Sequence, residues 1–195
     1  LVIVDNGLNI KALYHKNDLV PFGEFLPIES MLNKIGLRSI TNNYLSFSKG
    51  DRRDIINIDN NEFNLSILPL ICYEVIYSGK LSKINSYDLI INISEDGWFG
   101  KSIGPHQHFA HSVFRAIEEG KSIIRSSNNG ISAIIDPKGK IIKINKSTSS
   151  GVLSKYGFEK LTEMTVFSSY GRNNIFFYLI LIYITLIFFL KRIGR

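Results

Sequence analysis

The sequence predicts a layered α/β domain followed by one membrane-spanning helix. Two short and almost continuous apolar runs, 67–71 and 89–93, are typical of strands buried between layers. Apolar residues in 109–119 recur instead at helical spacing, and we expect that helix to end at Gly120. The stretch 175–190 carries no charge, glycine or proline. Strands interleaved with a helix favour packed layers, and the uncharged stretch favours a bilayer.

The first elements along the chain are predicted to form a hairpin. The apolar runs 1–4 and 8–14 flank the turn residues 5–7, which read Asp-Asn-Gly. We expect the two runs to pair across that turn. The first buried strand then ends at Cys72, and 75–79 is predicted to begin a turn or helix beyond it.

Further strands are predicted after the helix. The runs 122–125 and 131–135 are separated by an Asn-Asn-Gly turn at 128–130, which favours a second hairpin. The turn sequence Asp-Pro-Lys-Gly at 136–139 leads into a last strand at 140–144.

The uncharged stretch 175–190 is predicted to cross a membrane. Its residues span about 24 Å as a helix, slightly less than a hydrocarbon core of about 30 Å. A buried helix of a soluble protein is the alternative, although helices apolar all round are uncommon in small soluble domains. The basic residues Lys191 and Arg192 favour a cytoplasmic C-terminus, which places 1–172 on the opposite face of the membrane. In a Gram-negative bacterium that face of the inner membrane is the periplasmic one. The predicted boundaries are a domain at 1–172, ending in a weakly patterned connector, and a helix with a basic tail at 173–195.

Composition narrows the possible functions. The 195 residues are 45% hydrophobic and 21% charged, which indicates a globular body. The net charge of +6 accompanies no nucleic-acid-binding motif, so we expect no nucleic-acid partner, whereas attraction to anionic lipid headgroups fits. The chain begins with Leu1 directly in an apolar run, and we expect it to be a fragment of a longer protein.

Cys72 is the only cysteine, so it forms no disulfide within the chain. Free cysteines are usually inert core residues, and this is the first interpretation of Cys72. The second is a nucleophile, because a thiol at a strand-to-helix junction meets backbone N–H groups that stabilise a thiolate. Local pattern alone leaves both interpretations open.

The remaining polar residues give weaker signals. His106, His108 and His111 are close in sequence, but none of the pairs has the i, i+4 spacing of helical zinc sites and no carboxylate completes a set. We therefore expect packing or hydrogen-bonding roles for them and no metal. Lys16, taken alone, is a surface lysine.

Five motifs, in order, resemble the apolipoprotein N-acyltransferase family of the nitrilase superfamily. They lie at 14–27, 71–74, 98–108, 115–118 and 125–132, and include Leu-Val-Pro-Phe-Gly-Glu, Ile-Cys-Tyr-Glu and Trp-Phe-Gly-Lys-Ser. Soluble nitrilases and amidases share the lysine and cysteine landmarks, but they have no membrane helix. The C-terminal stretch falls where the family has its last membrane helix.

The resemblance implies a nitrilase-like α-β-β-α sandwich, partial in this chain, and a Glu-Lys-Cys triad. Cys72 would be the nucleophile and Lys16 the cation that favours the thiolate and stabilises the tetrahedral oxyanion. Glu24 would orient Lys16 or the incoming amine.

The same resemblance implies the pocket and the substrates. Tyr73 and Glu74 would shape the pocket, with Trp98 and Phe99 as its apolar walls. The acyl donor would be a phospholipid and the acceptor the N-terminal amine of a diacylated lipoprotein, at the membrane. No cofactor or metal is implied.

Two departures from the family pattern limit this expectation. The family's general-base glutamate lies upstream of the lysine, but only Asp5 precedes Lys16 here, in a turn. Glu95 stands where the family usually has asparagine. We therefore expect little or no activity from this chain alone. A membrane-tethered amidase-like or nitrilase-like hydrolase that uses water is the first alternative, and a non-catalytic membrane-anchored remnant is the second.

Overall fold

The computed structural model describes residues 1–28, 34, 47–59, 64–79, 81, 87–146 and 150–193. The end of the predicted basic tail, 194–195, lies outside the described residues. The chain opens with strands β1 (Val2–Val4) and β2 (Ile10–Leu13), which pair antiparallel. The predicted first hairpin is therefore confirmed.

A six-stranded mixed sheet forms the centre of the described structure. Its strands follow one another across the sheet in sequence order, and the pairs β4–β5 and β5–β6 are parallel while the outer pairs are antiparallel. The strands are β3 (Ile56–Asp59), β4 (Asn64–Ile71), β5 (Leu89–Glu95), β6 (Ser122–Asn128), β7 (Ser132–Ile135) and β8 (Ile141–Asn145).

The two faces of the sheet bury different partners. Side chains alternate along a strand, so Leu68 and Leu70 lie on one face of β4 and Ile67 on the other. Leu68 and Leu70 belong to the main core, which includes residues of the helix α1 (Gly104–Glu119). Ile67 belongs to a second cluster that includes Tyr14 and residues of the β1–β2 hairpin. The predicted layered α/β arrangement is confirmed by these two packed faces.

Helix α1 begins earlier than its apolar spacing predicts. It starts at Gly104, and Pro105 occupies the first turn, where the missing proline N–H costs no hydrogen bond. It ends as predicted: Gly120 adopts the left-handed conformation, with φ of 64°, and its N–H donates to the carbonyl oxygen of Ala116.

The connector to the last helix is partly helical, which corrects the prediction of a weakly patterned connector up to residue 170. Helix α2 spans Val166–Ile193 and is interrupted at Gly171, whose φ is 72°. Before it, the connector docks on the domain, since Leu161 N–H donates to Gly120 and Ser122 N–H to Glu159. Thr165 explains the early start, because its hydroxyl accepts a hydrogen bond from Ser168 N–H at 3.0 Å and so caps the first turn.

Helix α2 contains one segment, Asn174–Arg192, that is long and apolar enough to cross a membrane. The segment has 19 residues and a mean hydropathy of 2.1, and none of the window is buried against the rest of the described chain. At about 1.5 Å per residue it spans about 28 Å, close to a hydrocarbon core.

Candidate active site

The site is built where the parallel strands end. Because β4, β5 and β6 run parallel, their C-terminal ends meet at one edge of the sheet. Cys72 follows β4, Trp98 and Phe99 follow β5, and Asn128 ends β6. The topology therefore brings three of the sequence motifs to the same edge.

Cys72 occupies a strained backbone position at that edge. It begins a 3₁₀ turn, Cys72–Ile76, and its φ is 52°, in the left-handed region, which costs a residue with a side chain about 1–3 kcal/mol. The residue is partly exposed, and Sγ lies 3.9 Å from the carbonyl oxygen of Glu95. Serine hydrolases present their nucleophile on a similarly strained strand-to-helix turn. The geometry favours the interpretation of Cys72 as a nucleophile over that of an inert core thiol.

Lys16 and Glu24 form a close ion pair. Lys16 Nζ donates to both carboxylate oxygens of Glu24, at 2.6 and 2.7 Å. The turn around Glu24 is fixed by backbone bonds, since its N–H donates to the carbonyl of Val20 and its Oε2 accepts from Val20 N–H. The Lys16 side chain is only 11% exposed, so it is not the free surface lysine that its residue type predicts.

Glu74 joins the Lys16 segment to the Cys72 turn. Its side chain is fully buried, and its two oxygens accept hydrogen bonds from five residues on three parts of the chain. These donors are the Tyr14 hydroxyl, the N–H groups of Asn17, Asp18 and Ile71, and the guanidinium of Arg53. Lys16 therefore lies in a segment whose residues on both sides bond to a carboxylate two residues after Cys72.

Burial and the neighbouring Glu74 charge raise the pKa of Tyr14 above its usual range. The phenol therefore stays protonated and remains a donor to Glu74.

A second buried network lies behind Cys72. Arg125 donates through Nη2 to Asp96 at 2.7 Å, and Asp96 contacts His108 at 2.8 Å. Burial alone would raise the pKa of the Asp96 carboxyl, but the bond from His108 and the charge of Arg125 bring it well below its usual range. Burial lowers the pKa of Arg125, and Asp96 opposes that shift. The Arg125–Asp96 pair is thus charged in the interior of the domain.

Three residues predicted to line the pocket stand at the same edge of the sheet. The Tyr73 ring meets Tyr77 edge-on, with ring centroids 5.6 Å apart. Trp98 is 72% exposed, and Phe99 packs its ring 5.5 Å from that of His108. Their contact with substrate stays a prediction.

Glu95 is the charged residue that stands where the family usually has asparagine, and both of its carboxylate oxygens accept hydrogen bonds. It accepts hydrogen bonds from the side chains of Asn128 and Asn129 and from Gly97 N–H. These bonds, the one from Asn129 foremost, lower the pKa of Glu95. The additional charge therefore ties the end of β5 to the turn after β6.

Asp5 is the carboxylate that precedes Lys16, and it belongs to the first hairpin turn. It accepts from the N–H groups of Gly7 and Asn9, each at 2.9 Å, and pairs with Lys11 at 3.1 Å. These contacts, led by the bond from Asn9, lower its pKa to about 2.

Sequence reasoning assigned no functional role to Asp96, His108 and Arg125. Arg125 offered a signal, because it directly follows Ile123 and Ile124 in a predicted strand, and a charge buried beside them must find a partner. Among the described residues, no group of three or more histidine, cysteine, aspartate or glutamate side chains is arranged to hold a metal ion.

The mixed sheet and the helix packed on it define an α/β fold, with Cys72 where the parallel strands end. The sequence profile of the carbon-nitrogen hydrolase family matches residues 1–155, and the chain belongs to that family. It is 40% identical over 188 residues to the apolipoprotein N-acyltransferase of Rickettsia prowazekii strain Madrid E, covering 96% of this chain and 36% of that protein. It is 38% identical over 190 residues to the enzyme of the same name from Wigglesworthia glossinidia brevipalpis, covering 94% of this chain and 36% of that protein.

The chain spans about a third of the length of these curated relatives. Among solved structures, an amidase mutant from Nesterenkonia sp. AN1 with a covalent adduct on its active-site cysteine matches with a TM-score of 0.50. That match has 15% identity and covers 75% of this chain and 50% of the amidase. The similarity supports the fold, and the predicted nitrilase-like α/β class is confirmed.

Proposed function

We propose that this chain carries the nucleophile of an enzyme that transfers a fatty acyl chain to the N-terminal amine of a diacylglyceryl-cysteine lipoprotein. One observation carries the proposal: Cys72 is held in a left-handed conformation at a sheet edge, and Glu74 ties its turn to the segment that bears Lys16. The similarity to apolipoprotein N-acyltransferases supports the choice of reaction.

In the first half-reaction, the Cys72 thiolate attacks the carbonyl carbon of a phospholipid ester. A C–S bond forms, the C–O bond to glycerol breaks, and the glycerol oxygen takes a proton from water as the lysophospholipid leaves. Lys16, held by Glu24, would supply positive charge for the thiolate and for the oxyanion of the tetrahedral intermediate.

In the second half-reaction, the lipoprotein amine attacks the thioester. A C–N bond forms, the C–S bond breaks, and the amine gives its proton to the hydroxide left by the first half-reaction, so that Cys72 returns as a thiolate. A thioester suits this step because a thiolate is a better leaving group than an alkoxide.

The other predicted site residues would have different roles. Tyr73, Trp98 and Phe99 would contact the acyl chain or lipid at the sheet edge. Glu74, which is buried with both oxygens occupied, would position the Lys16 segment and would not touch substrate. We also propose that 1–172 lies on the periplasmic side, because basic residues follow the apolar helix.

A chimera tests this function. The chain would replace the matching segment of the Rickettsia prowazekii relative, and the product would be assayed with phospholipid vesicles and a diacylated lipopeptide. The expected product is a triacylated lipopeptide, formed by the chimera and not by its Cys72→Ala variant. Release of free fatty acid in place of acylated lipopeptide would instead favour the hydrolase. A folded chimera that forms neither product would identify a non-catalytic chain.

A further inference from the structure

A chain of buried polar contacts leads from Arg125 to the backbone of Cys72. Arg125 Nη2 donates to Asp96 Oδ2 at 2.7 Å, and Asp96 Oδ1 lies 2.8 Å from His108 Nδ1. The second ring nitrogen, Nε2, lies 3.2 Å from the carbonyl oxygen of Cys72. Arg125, Asp96 and His108 are at most 4% exposed, so water competes little for these bonds.

The partners of His108 fix where its protons lie. Nδ1 faces a carboxylate and Nε2 faces a carbonyl, and both partners only accept hydrogen bonds. Arg125 Nη2 is also 3.2 Å from Nδ1, but the carboxylate of Asp96 is 0.4 Å closer and carries the opposite charge to an imidazolium. A ring that satisfies both oxygens donates from both nitrogens.

We propose that His108 is a positioning residue for Cys72: it donates one proton to Asp96 and the other to the Cys72 carbonyl, and so holds the cysteine in its left-handed conformation. The inference rests on the proposed role of Cys72 as the nucleophile. Without a donor at its carbonyl, Cys72 is free to relax to a negative φ, which turns the thiol away from its place at the sheet edge.

The charged groups around His108 come from several elements. Asp96 follows β5 and Arg125 lies in β6, while His111 is on α1 itself. Burial, followed by the charges of Arg115 and His108, lowers the pKa of His111. Asp96 is therefore the anion that balances the proposed His108 cation, and Arg125 holds Asp96 in place.

Two substitutions separate the two bonds of His108. In His108→Gln, the side-chain amide nitrogen reaches the former position of Nε2 and can still donate to Cys72. In His108→Asn, the shorter amide reaches the former position of Nδ1, so it keeps the bond to Asp96 and loses the one to Cys72. His111→Gln and His111→Asn are matched controls, three residues further along the same helix.

The measurement is the rate at which iodoacetamide alkylates Cys72 in the detergent-solubilised chain, where it is the only thiol. We expect His108→Gln to keep the rate within about threefold and His108→Asn to lose about tenfold, because only His108→Asn removes the donor to the Cys72 carbonyl. Thermal unfolding of each variant measures its stability, so that a change in alkylation rate caused by partial unfolding is recognised. Equal rates in the two variants, or losses that follow stability alone, overturn the proposal.

Nitrogen-15 NMR of histidine-labelled protein gives a second readout. We expect both ring nitrogens of His108 to carry protons at pH 7, with the signal identified by its absence from His108→Gln. A ring with one protonated nitrogen overturns the two-donor arrangement. Neither measurement depends on acyl transfer, so failure of the proposed enzymatic function would be seen separately, in the chimera.

Discussion

At the scale of single residues, Glu74 shows how one carboxylate can hold a site together without facing solvent. The residue has no exposed surface, yet it accepts from backbone N–H groups on both sides of the site and from Arg53. Burying a charge costs free energy unless partners replace the lost water, and here five donors do so. The segment that bears Lys16 is therefore held by a residue that is itself fully buried.

We predict that Glu74→Gln destabilises the domain strongly. The amide replaces one acceptor oxygen with a donor, so it faces N–H groups that already donate, and Arg53 loses the carboxylate of Glu74 as a partner. Removing one partner of a buried ion pair costs about 3–5 kcal/mol. Urea-induced unfolding followed by circular dichroism measures this loss.

Glu159→Gln is the control for that substitution. Its side chain is 67% exposed and pairs with Lys155 on the surface, so we expect a change of about 0.5 kcal/mol or less. Equal stabilities of the Glu74→Gln and Glu159→Gln variants would show that the buried carboxylate does not hold the two segments.

At the scale of elements, the end of α1 packs directly against the connector. Gly120 adopts a left-handed conformation, and a Cβ atom there would lie 3.0 Å from Thr165 Cγ2 and 3.1 Å from Leu161 Cδ1. Its carbonyl oxygen accepts from Leu161 N–H at 3.0 Å. The glycine thus ends the helix and also makes room for the connector that leads to α2.

Two glycines with nearly the same positive φ, Gly120 and Gly157, separate these effects. Gly157 has φ of 65°, and nothing lies within 4 Å of a Cβ atom added there, so Gly157→Ala carries the backbone cost alone, about 1 kcal/mol. Gly120→Ala adds close contacts with Thr165 and Leu161, and we expect it to lower the melting temperature further. Calorimetry on both variants measures the difference. Equal shifts would mean that the connector does not pack on Gly120.

Local signals predicted the elements better than the contacts between them. The conformations of the Asp-Asn-Gly turn and of Gly120 depend on a few neighbouring residues, and both were predicted. The positive φ of Cys72 was not, because nothing in Ile-Cys-Tyr-Glu demands it. The bond from Tyr14 to Glu74 joins residues 60 apart, and that from Arg125 to Asp96 joins residues 29 apart. Such pairs follow from sheet topology, which residue spacing does not specify.

At the scale of the whole molecule, the domain buries its apolar residues and the last helix exposes them. The sheet buries its apolar residues against α1 and the hairpin, whereas none of the apolar residues in the segment Asn174–Arg192 is buried against the described chain. A core helix of a soluble protein is equally apolar but mostly buried, so exposure together with hydropathy favours a membrane. Thr185 fits this environment, because its hydroxyl donates to the Leu181 carbonyl at 2.7 Å and needs no water.

A single charge placed in the apolar segment tests that environment. Ile182 lies near the middle of the segment, where an aspartate costs about 2.5–3.5 kcal/mol on membrane-insertion scales. We expect Ile182→Asp to move the expressed chain from the carbonate-resistant membrane fraction to the extractable one, and Ile182→Leu to leave it unchanged. This segment is the one candidate span among the described residues, so none of the other described helices would take over its role. Equal retention of both variants after carbonate washing would show that this helix does not anchor the chain in the bilayer.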